Sequence, residues 1–285
     1  MYYHFLYSSF SLHNRKIIHL KDILLFKNIM FRLLNLSFLI ALTNGFMFNK
    51  PIFITGATSK IGVHVINQLE YRNVKTRCLV RNLTKAENIF GKLKYTEFVE
   101  GDVLDSDLVS KMQDCSSVIS LHGINKFSNP LKKLNFFDLH GKISDKNHPY
   151  YVNYISMKNI IYSCKKNNIN RILRVTGLAT GLPEKTFWPV LLNLLFSDQV
   201  KWHVAGENEI VNSGLTYTIL RPGAIRNNKN FDNYELKETV MNPPALISYS
   251  KIADIIIDAV FSEEDSTNPI KFENSIYACA GKLDA

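Results

Sequence analysis

The eight residues Thr55-Gly56-Ala57-Thr58-Ser59-Lys60-Ile61-Gly62 constrain this chain more than any others. They follow an unbroken apolar run at residues 51–55 and open residues 61–71, where Ile61, Val65, Ile66 and Leu69 recur at helical spacing. Gly56 permits a tight strand-to-helix turn, and Gly62 lets helix and strand pack closely. Such a turn aims backbone N–H groups and the positive helix end at a pyrophosphate. Glycine spacing alone is weak evidence, but a preceding strand and a following helix are the context that gives it meaning. The segment is therefore read as a dinucleotide cradle built from Gly56, Thr58, Ser59, Lys60, Ile61 and Gly62. Ser59 stands where such turns usually carry a middle glycine; its hydroxyl can donate to the same phosphate oxygen.

The rest of the chain repeats the alternation. Strands are predicted at 77–81, 96–99, 117–121, 172–176, 217–220 and 275–278, with helices at 85–90, 106–112 (capped by Asp105 or Ser106), 152–164, 200–211 and 251–261. Apolar runs lacking polar alternation, PIFIT and VISL among them, imply strands buried on both faces. The expected fold class is α/β, a Rossmann-type doubly wound parallel sheet with a small C-terminal substrate or lid region. Residues 122–150 are long, polar and rich in Asn, Lys and His, a candidate lid. Residues 187–196 (FWPVLLNLLF) are apolar all round, which fits core packing or a subunit face, an apolar substrate pocket, or docking on a membrane or partner.

Charge at the end of the second strand selects the nucleotide. An acid there holds the 2′-hydroxyl of NAD. This chain has Arg81, 19 residues after Gly62. A guanidinium grips a 2′-phosphate with two hydrogen bonds and stacks on adenine, and Lys60 adds a second cation. NADP(H) is expected over NAD(H).

The net charge of +9, from 34 bases and 25 acids, first suggests nucleic acid or an anionic membrane. Five bases against one acid lie in residues 1–49, and the remaining 29 bases and 24 acids are scattered without a run. No basic stripe with interleaved aromatics appears, so a nucleic-acid role is set aside. Cys78, Cys115, Cys164 and Cys279 stand far apart with no CxxC, which reads as reduced core thiols and no metal site.

Residues 1–49 read as a leader, and 50–285 as the nucleotide-binding domain. Within the leader, residues 30–48 combine a basic start, about ten apolar residues and a small-residue exit, the pattern of a signal peptide or an anchor. Met30 is a candidate true start. Cysteines without a disulfide pattern fit a secretory route into a reducing organelle, such as a plastid of secondary origin. A membrane anchor or a cytoplasmic location is the rival.

Together TGATSKIG (55–62), CLVRN (78–82), EGDVLD (100–105), VISLHG (118–123), YVNYISMKNII (151–161), RILRVTG (171–177), SGLTYTILRPGAI (213–225) and ISYSKIAD (247–254) run in one family's order over nearly all of residues 51–279. The chain resembles the atypical short-chain dehydrogenase/reductases of the NmrA-like branch, including plastid members associated with envelope import and photosystem assembly. The resemblance implies that Asp102 and Val103 meet adenine, that His122 and Gly123 lie along the ribose, that Thr176 stands near the nicotinamide, and that Arg221, Pro222 and Gly223 shape the wall beside it.

Active members of that class use a Tyr and a Lys four residues apart on the helix after the fifth strand. Tyr154 and Lys158 have the spacing but precede that strand, and residues 178–213 contain no Tyr. Trp202 and Glu207 match a family W/K…E pattern, with His203 where a Lys is often found and Lys201 beside it. Thr176, His203 and Lys201 are thus the weak catalytic candidates. Two readings stay open: an NADP(H)-dependent reductase of a small apolar substrate, protonated by Thr176, His203 or water, and a silent NADP(H)-binding scaffold or redox sensor docked to a protein or membrane complex.

Overall fold

The computed structural model describes residues 50–124, 127, 145–227, 233–241, 245–262 and 270–282. The leader, with its segment 30–48, lies outside them, as does most of the candidate lid.

The chain starts with β1 (Ile52–Thr55), α1 (Lys60–Tyr71), β2 (Thr76–Val80), α2 (Leu83–Phe90), β3 (Thr96–Glu100), α3 (Leu108–Lys111) and β4 (Ser117–Ser120). A π-helical segment, Tyr150–Ile155, runs directly into α4 (Ser156–Lys166), followed by β5 (Arg171–Val175) and a 3₁₀ turn at Leu178–Gly181. Then come α5 (Phe187–Leu195), α6 (Gln199–Val211), β6 (Thr216–Pro222), β7 (Ala224–Arg226), β8 (Asn233–Lys237), β9 (Leu246–Ser248), α7 (Tyr249–Phe261) and β10 (Ser275–Lys282).

Among the described residues eight strands form one sheet in the order β3-β2-β1-β4-β5-β6-β10-β8, parallel except for β8, which runs antiparallel to β10. This is the doubly wound architecture read from the sequence. The small strands β7 and β9 pair in parallel apart from it. Chain order reverses between β1 and β4, and the crevice outside the carboxyl ends at such a switch point is where α/β sheets hold ligands.

Burial explains why the sheet is covered twice. All four residues of β1 are buried. Ile52 and Ile54 face a core shared with Val65, Ile66 and Leu69 of α1 and Ile252, Ile256 and Ala259 of α7. Phe53 faces the opposite core with Met157, Ile160 and Cys164 of α4 and Ile210 of α6. Each such aliphatic side chain contributes about 1.5–3 kcal/mol on leaving water. Gln68 donates to Asp254 Oδ1 at 2.7 Å, tying α1 to α7.

Boundaries shift by a few residues, and one cap differs from expectation. Asp107, not Asp105 or Ser106, precedes α3. Asp105 instead accepts from the Asp102 N–H at 2.7 Å, which steadies the turn after β3. The four cysteines are free and buried. Burial pushes the thiols of Cys78, Cys164 and Cys279 up to about 12, so they stay protonated and pack as small hydrophobes.

The apolar segment at 187–196 is mostly on the surface. In α5 Phe187, Val190 and Leu194 are more than half exposed, and only Pro189 is buried. No helix among the described residues is long and apolar enough to cross a membrane.

Candidate functional site

The turn between β1 and α1 forms as its glycines require. Gly56 has φ +76, and a Cβ there would stand 2.6 Å from the Leu121 carbonyl carbon and the His122 nitrogen at the end of β4. A Cβ on Gly62 would strike the backbone oxygens of Gly56 and Ala57. Only glycine fits at either place. Ser59 caps α1, its Oγ accepting from Gly62 N at 3.0 Å. Because the oxygen is the acceptor, the hydroxyl proton stays available for a phosphate, so replacing glycine by Ser59 preserves the cradle.

A cleft of about 440 Å³ opens above this turn, along the carboxyl ends of β1, β2 and β4. Gly56, Thr58 and Ser59 form its floor, Arg81 and Lys85 one end, and Asp102, Val103, His122 and Gly123 also line it. At the Arg81 end, Asn82 caps α2 through Oδ1, which accepts from Lys85 N at 2.7 Å. Two cations and the positive end of a helix therefore gather past β2. Lys85 escaped the sequence reading, although a base following an Asn cap by three positions is a local signal. Lys60, expected as the second cation, lies elsewhere: its ammonium sits 5.4 Å from the ring centre of Tyr249, and it does not line the cleft. Neither do Ile61 and Gly62, which act from within the helix start.

Asp102 is shaped by its own turn. Its Oδ1 accepts from Leu104 N at 3.0 Å, which leaves Oδ2 for a ligand amine. His122 turns its ring inward rather than along the cleft. Ser156 donates to the Val152 carbonyl at 2.5 Å, so its oxygen accepts from His122 Nε2 at 2.8 Å. Nδ1 then accepts from the Thr55 hydroxyl at 2.7 Å. Burial, and next the charge of Arg174, hold this imidazole well below its ordinary pKa. His122 is a neutral strut joining β1, β4 and α4.

Thr176, Pro222, His203 and Lys201 lie outside that cleft. Thr176, one residue past β5, donates to Glu207 Oε1 at 2.6 Å, and Thr180 donates to the same oxygen at 2.8 Å. Arg221 Nη2 meets Glu207 Oε2 at 2.5 Å, with Nε at 3.2 Å. This buried carboxylate thus binds β5, β6 and the 3₁₀ turn together. Its cost for the candidate roles is definite: the Thr176 proton is already committed. His203 is enclosed, and burial followed by Arg174 lowers its pKa to about 3, so it is neutral at physiological pH. Lys201 is exposed, its ammonium 5.0 Å from the Trp202 ring centre. Tyr154 donates to Glu209 Oε1 at 3.2 Å, while Lys158 lies over its ring face, so these two form no proton-transfer pair.

A cradle that admits only glycine at two positions, at the switch point of a parallel sheet, fits a dinucleotide. The sequence profile described as NAD(P)H-binding matches residues 56–263, most of the chain. The protein belongs to the NAD(P)H-binding family. Its likeness to solved structures is one of fold. A protein from Bacillus halodurans titled a putative NAD-dependent epimerase/dehydratase superposes with a TM-score of 0.64 at 14% identity, covering 82% of this chain and 95% of that one. A short-chain dehydrogenase/reductase from Veillonella parvula, solved in complex with NADP, gives 0.59 at 20% identity, covering 81% and 94%. With the family match, these likenesses of fold agree with the NAD(P)-binding, short-chain-dehydrogenase-like resemblance read from the sequence.

Two plant relatives are distant. An uncharacterized chloroplastic protein of Arabidopsis thaliana is 25% identical over 226 residues, 76% of this chain and 74% of its own length. The chloroplastic protein TIC 62 of Pisum sativum is 28% identical over 196 residues, 61% of this chain. The match spans 32% of the pea protein's length.

Proposed function

We propose that this family member binds NADP(H) in preference to NAD(H) and passes hydride between it and a small substrate. The observation that carries the nucleotide preference is the pair Arg81 and Lys85, flanking the Asn82 cap at one end of the cleft. Opposite charge and a helix N-terminus favour a phosphate ester there over a free hydroxyl. When bound, the nicotinamide supplies the hydride. The chain's own groups orient it through the glycine cradle, and the Glu207–Arg221 pair braces the segment that follows β5.

Protonation falls to water. The Thr176 hydroxyl is engaged in a hydrogen bond to Glu207, His203 is neutral, and Lys201 stands in solvent. A hydride acceptor whose oxygen or carbon takes its proton from solvent needs no side-chain acid. NADPH titration, compared with NADH, tests the first half of the reading; NADPH oxidation across a panel of carbonyl and enoyl compounds tests the second. Equal affinity for the two nucleotides would remove the preference.

The commitment of Thr176 also favours a second reading, an NADP(H)-occupied scaffold without turnover. Tight NADPH binding with no oxidation across the panel, together with a co-purifying complex, would establish it. For location we propose a plastid, entered through a leader within residues 1–49; the chloroplastic relatives support this. Sequencing the mature N-terminus tests it, and an intact Met1 would count against it.

A further inference from the structure

The glycine turn brings no cation of its own to the cleft. Lys60, the base within it, lies over Tyr249 and outside the lining. Backbone N–H groups and the start of α1 are all that the turn itself offers a pyrophosphate. Arg81 and Lys85 stand past β2, where the reading above gives them the 2′-phosphate. A third base, Lys146, also lines the cleft, from the connection between β4 and the π-helical segment. It is exposed, and it forms no ion pair with a carboxylate among the described residues. The two carboxylates of the lining are already engaged: Lys111 meets Asp105 at 3.5 Å, and Asp102 Oδ1 accepts from Leu104 N.

Sheet order sets the side on which Lys146 stands. β1 lies between β2 and β4, so the turn after β1 is flanked by the ends of both. Arg81 and Lys85 follow β2; Ile124, Lys146, Asn147 and Val152 form the wall on the β4 side. Ile124 N donates to Asn153 Oδ1 at 3.2 Å, which joins the end of β4 to the π-helical segment. The backbone under Lys146 is held as well. Asp145 accepts from Asn147 N through Oδ1 at 2.9 Å and from His148 N through its carbonyl at 2.8 Å. The His148 carbonyl in turn accepts from Tyr151 N and Val152 N, so the turn feeds directly into the π-helical segment. Tyr150 and Tyr154 pack that segment on α6, their ring centres 4.8 and 5.9 Å from that of Trp202.

We propose that Lys146 is the cation for the dinucleotide's pyrophosphate, closing on it from the β4 side while the glycine turn holds it from below. Lysine suits this place because its ammonium is a compact charge on a long, flexible stem that can follow a phosphate across an open cleft. The 2′-phosphate belongs to the opposite end, so Lys146 adds affinity for NADP(H) and NAD(H) alike and takes no part in choosing between them. The inference rests on the reading that this cleft receives the dinucleotide, and wild-type titration with NADPH and NADH tests that reading by itself.

The test is calorimetric titration of the full chain and its Lys146→Gln and Lys146→Arg variants with NADPH, NADH, ADP-ribose and adenosine 2′-phosphate. Lys146→Gln should weaken NADPH, NADH and ADP-ribose by a similar factor, about tenfold at low ionic strength, the worth of one charged hydrogen bond. That loss should shrink as salt is added, because an exposed charge is screened. Adenosine 2′-phosphate, which lacks the pyrophosphate, should bind the variant as it binds the wild type. Lys146→Arg should keep native affinity for all four. The side chain is exposed, so thermal unfolding of both variants should match the wild type. Unchanged affinities in Lys146→Gln overturn the assignment. A loss confined to NADPH and adenosine 2′-phosphate overturns it too, since Lys146 would then serve the 2′-phosphate. A wild-type chain that binds neither NADPH nor NADH removes the proposed function and this inference with it.

Discussion

Thr176 donates its hydroxyl proton to Glu207 Oε1 at 2.6 Å, across 31 positions of sequence. That contact turns a candidate proton donor into a structural one. It also shows how the region beyond β5 is held, since the same carboxylate receives Thr180 and both Nε and Nη2 of Arg221.

Removing the charge at the centre of this arrangement should therefore loosen it. Glu207→Gln leaves the Arg221 guanidinium half-buried without its counter-ion, at an expected loss of about 3 kcal/mol, the range for breaking a buried pair from one side. For a domain of this size, thermal unfolding should fall by roughly 6–12 °C. A shift within 2 °C would mean that Arg221 finds another partner.

Gly56→Ala should cost both stability and nucleotide binding. The residue has φ +76, and its new Cβ would press on the β4 backbone at 2.6 Å, where neither side can yield like a flexible side chain. The left-handed conformation alone adds about 1–3 kcal/mol of strain. Urea unfolding and NADPH titration on the same preparation are the measurements. Native affinity with native stability would contradict the cradle.

Arg81→Asp should reverse the nucleotide preference, because an acid repels the 2′-phosphate and accepts from a 2′-hydroxyl. Lys85→Gln should weaken NADPH by about tenfold, the worth of one charged hydrogen bond, and leave NADH unchanged. Lys60→Gln should do little, since its ammonium lies over Tyr249. Paired titrations of the three variants decide which cation serves the phosphate.

Stability should fall as pH drops from 7 to 5. Burial holds His122 well below 6.5 and His203 at about 3, so both stay neutral while folded. The unfolded chain takes up those two protons below about 6.5, which favours unfolding. Their contribution is complete above that value and is lost at about 1.4 kcal/mol per pH unit for each ring. His203→Gln should flatten the urea midpoint's slope with pH by one ring's share; an unchanged slope would show that His203 is charged in the native state.

Local signals were legible in the sequence. The glycine turn, the strand–helix alternation and Arg81 depend on neighbours a few residues apart, so their pattern survives in one dimension. Lys85 is equally local, whereas the place of Lys60 in the turn says nothing about where a long side chain points. The apolar sequence of α5 suits a core or subunit face, a pocket wall, or a docking segment alike. Its apolar composition was visible; the exposure of Phe187, Val190 and Leu194 was not.

Sequence by itself thus determined an NAD(P)H-binding α/β sheet and the position of its glycine turn, because hydrophobic period and glycine geometry are set along the backbone. Only the tertiary structure decided which polar groups are spent and which are free. Thr176 is engaged by Glu207, while Arg174, which reads as one more base in the strand RILRV, is buried with Nη2 unpaired. Those outcomes depend on partners brought together from distant strands and helices, and on burial that makes each unpaired hydrogen bond costly.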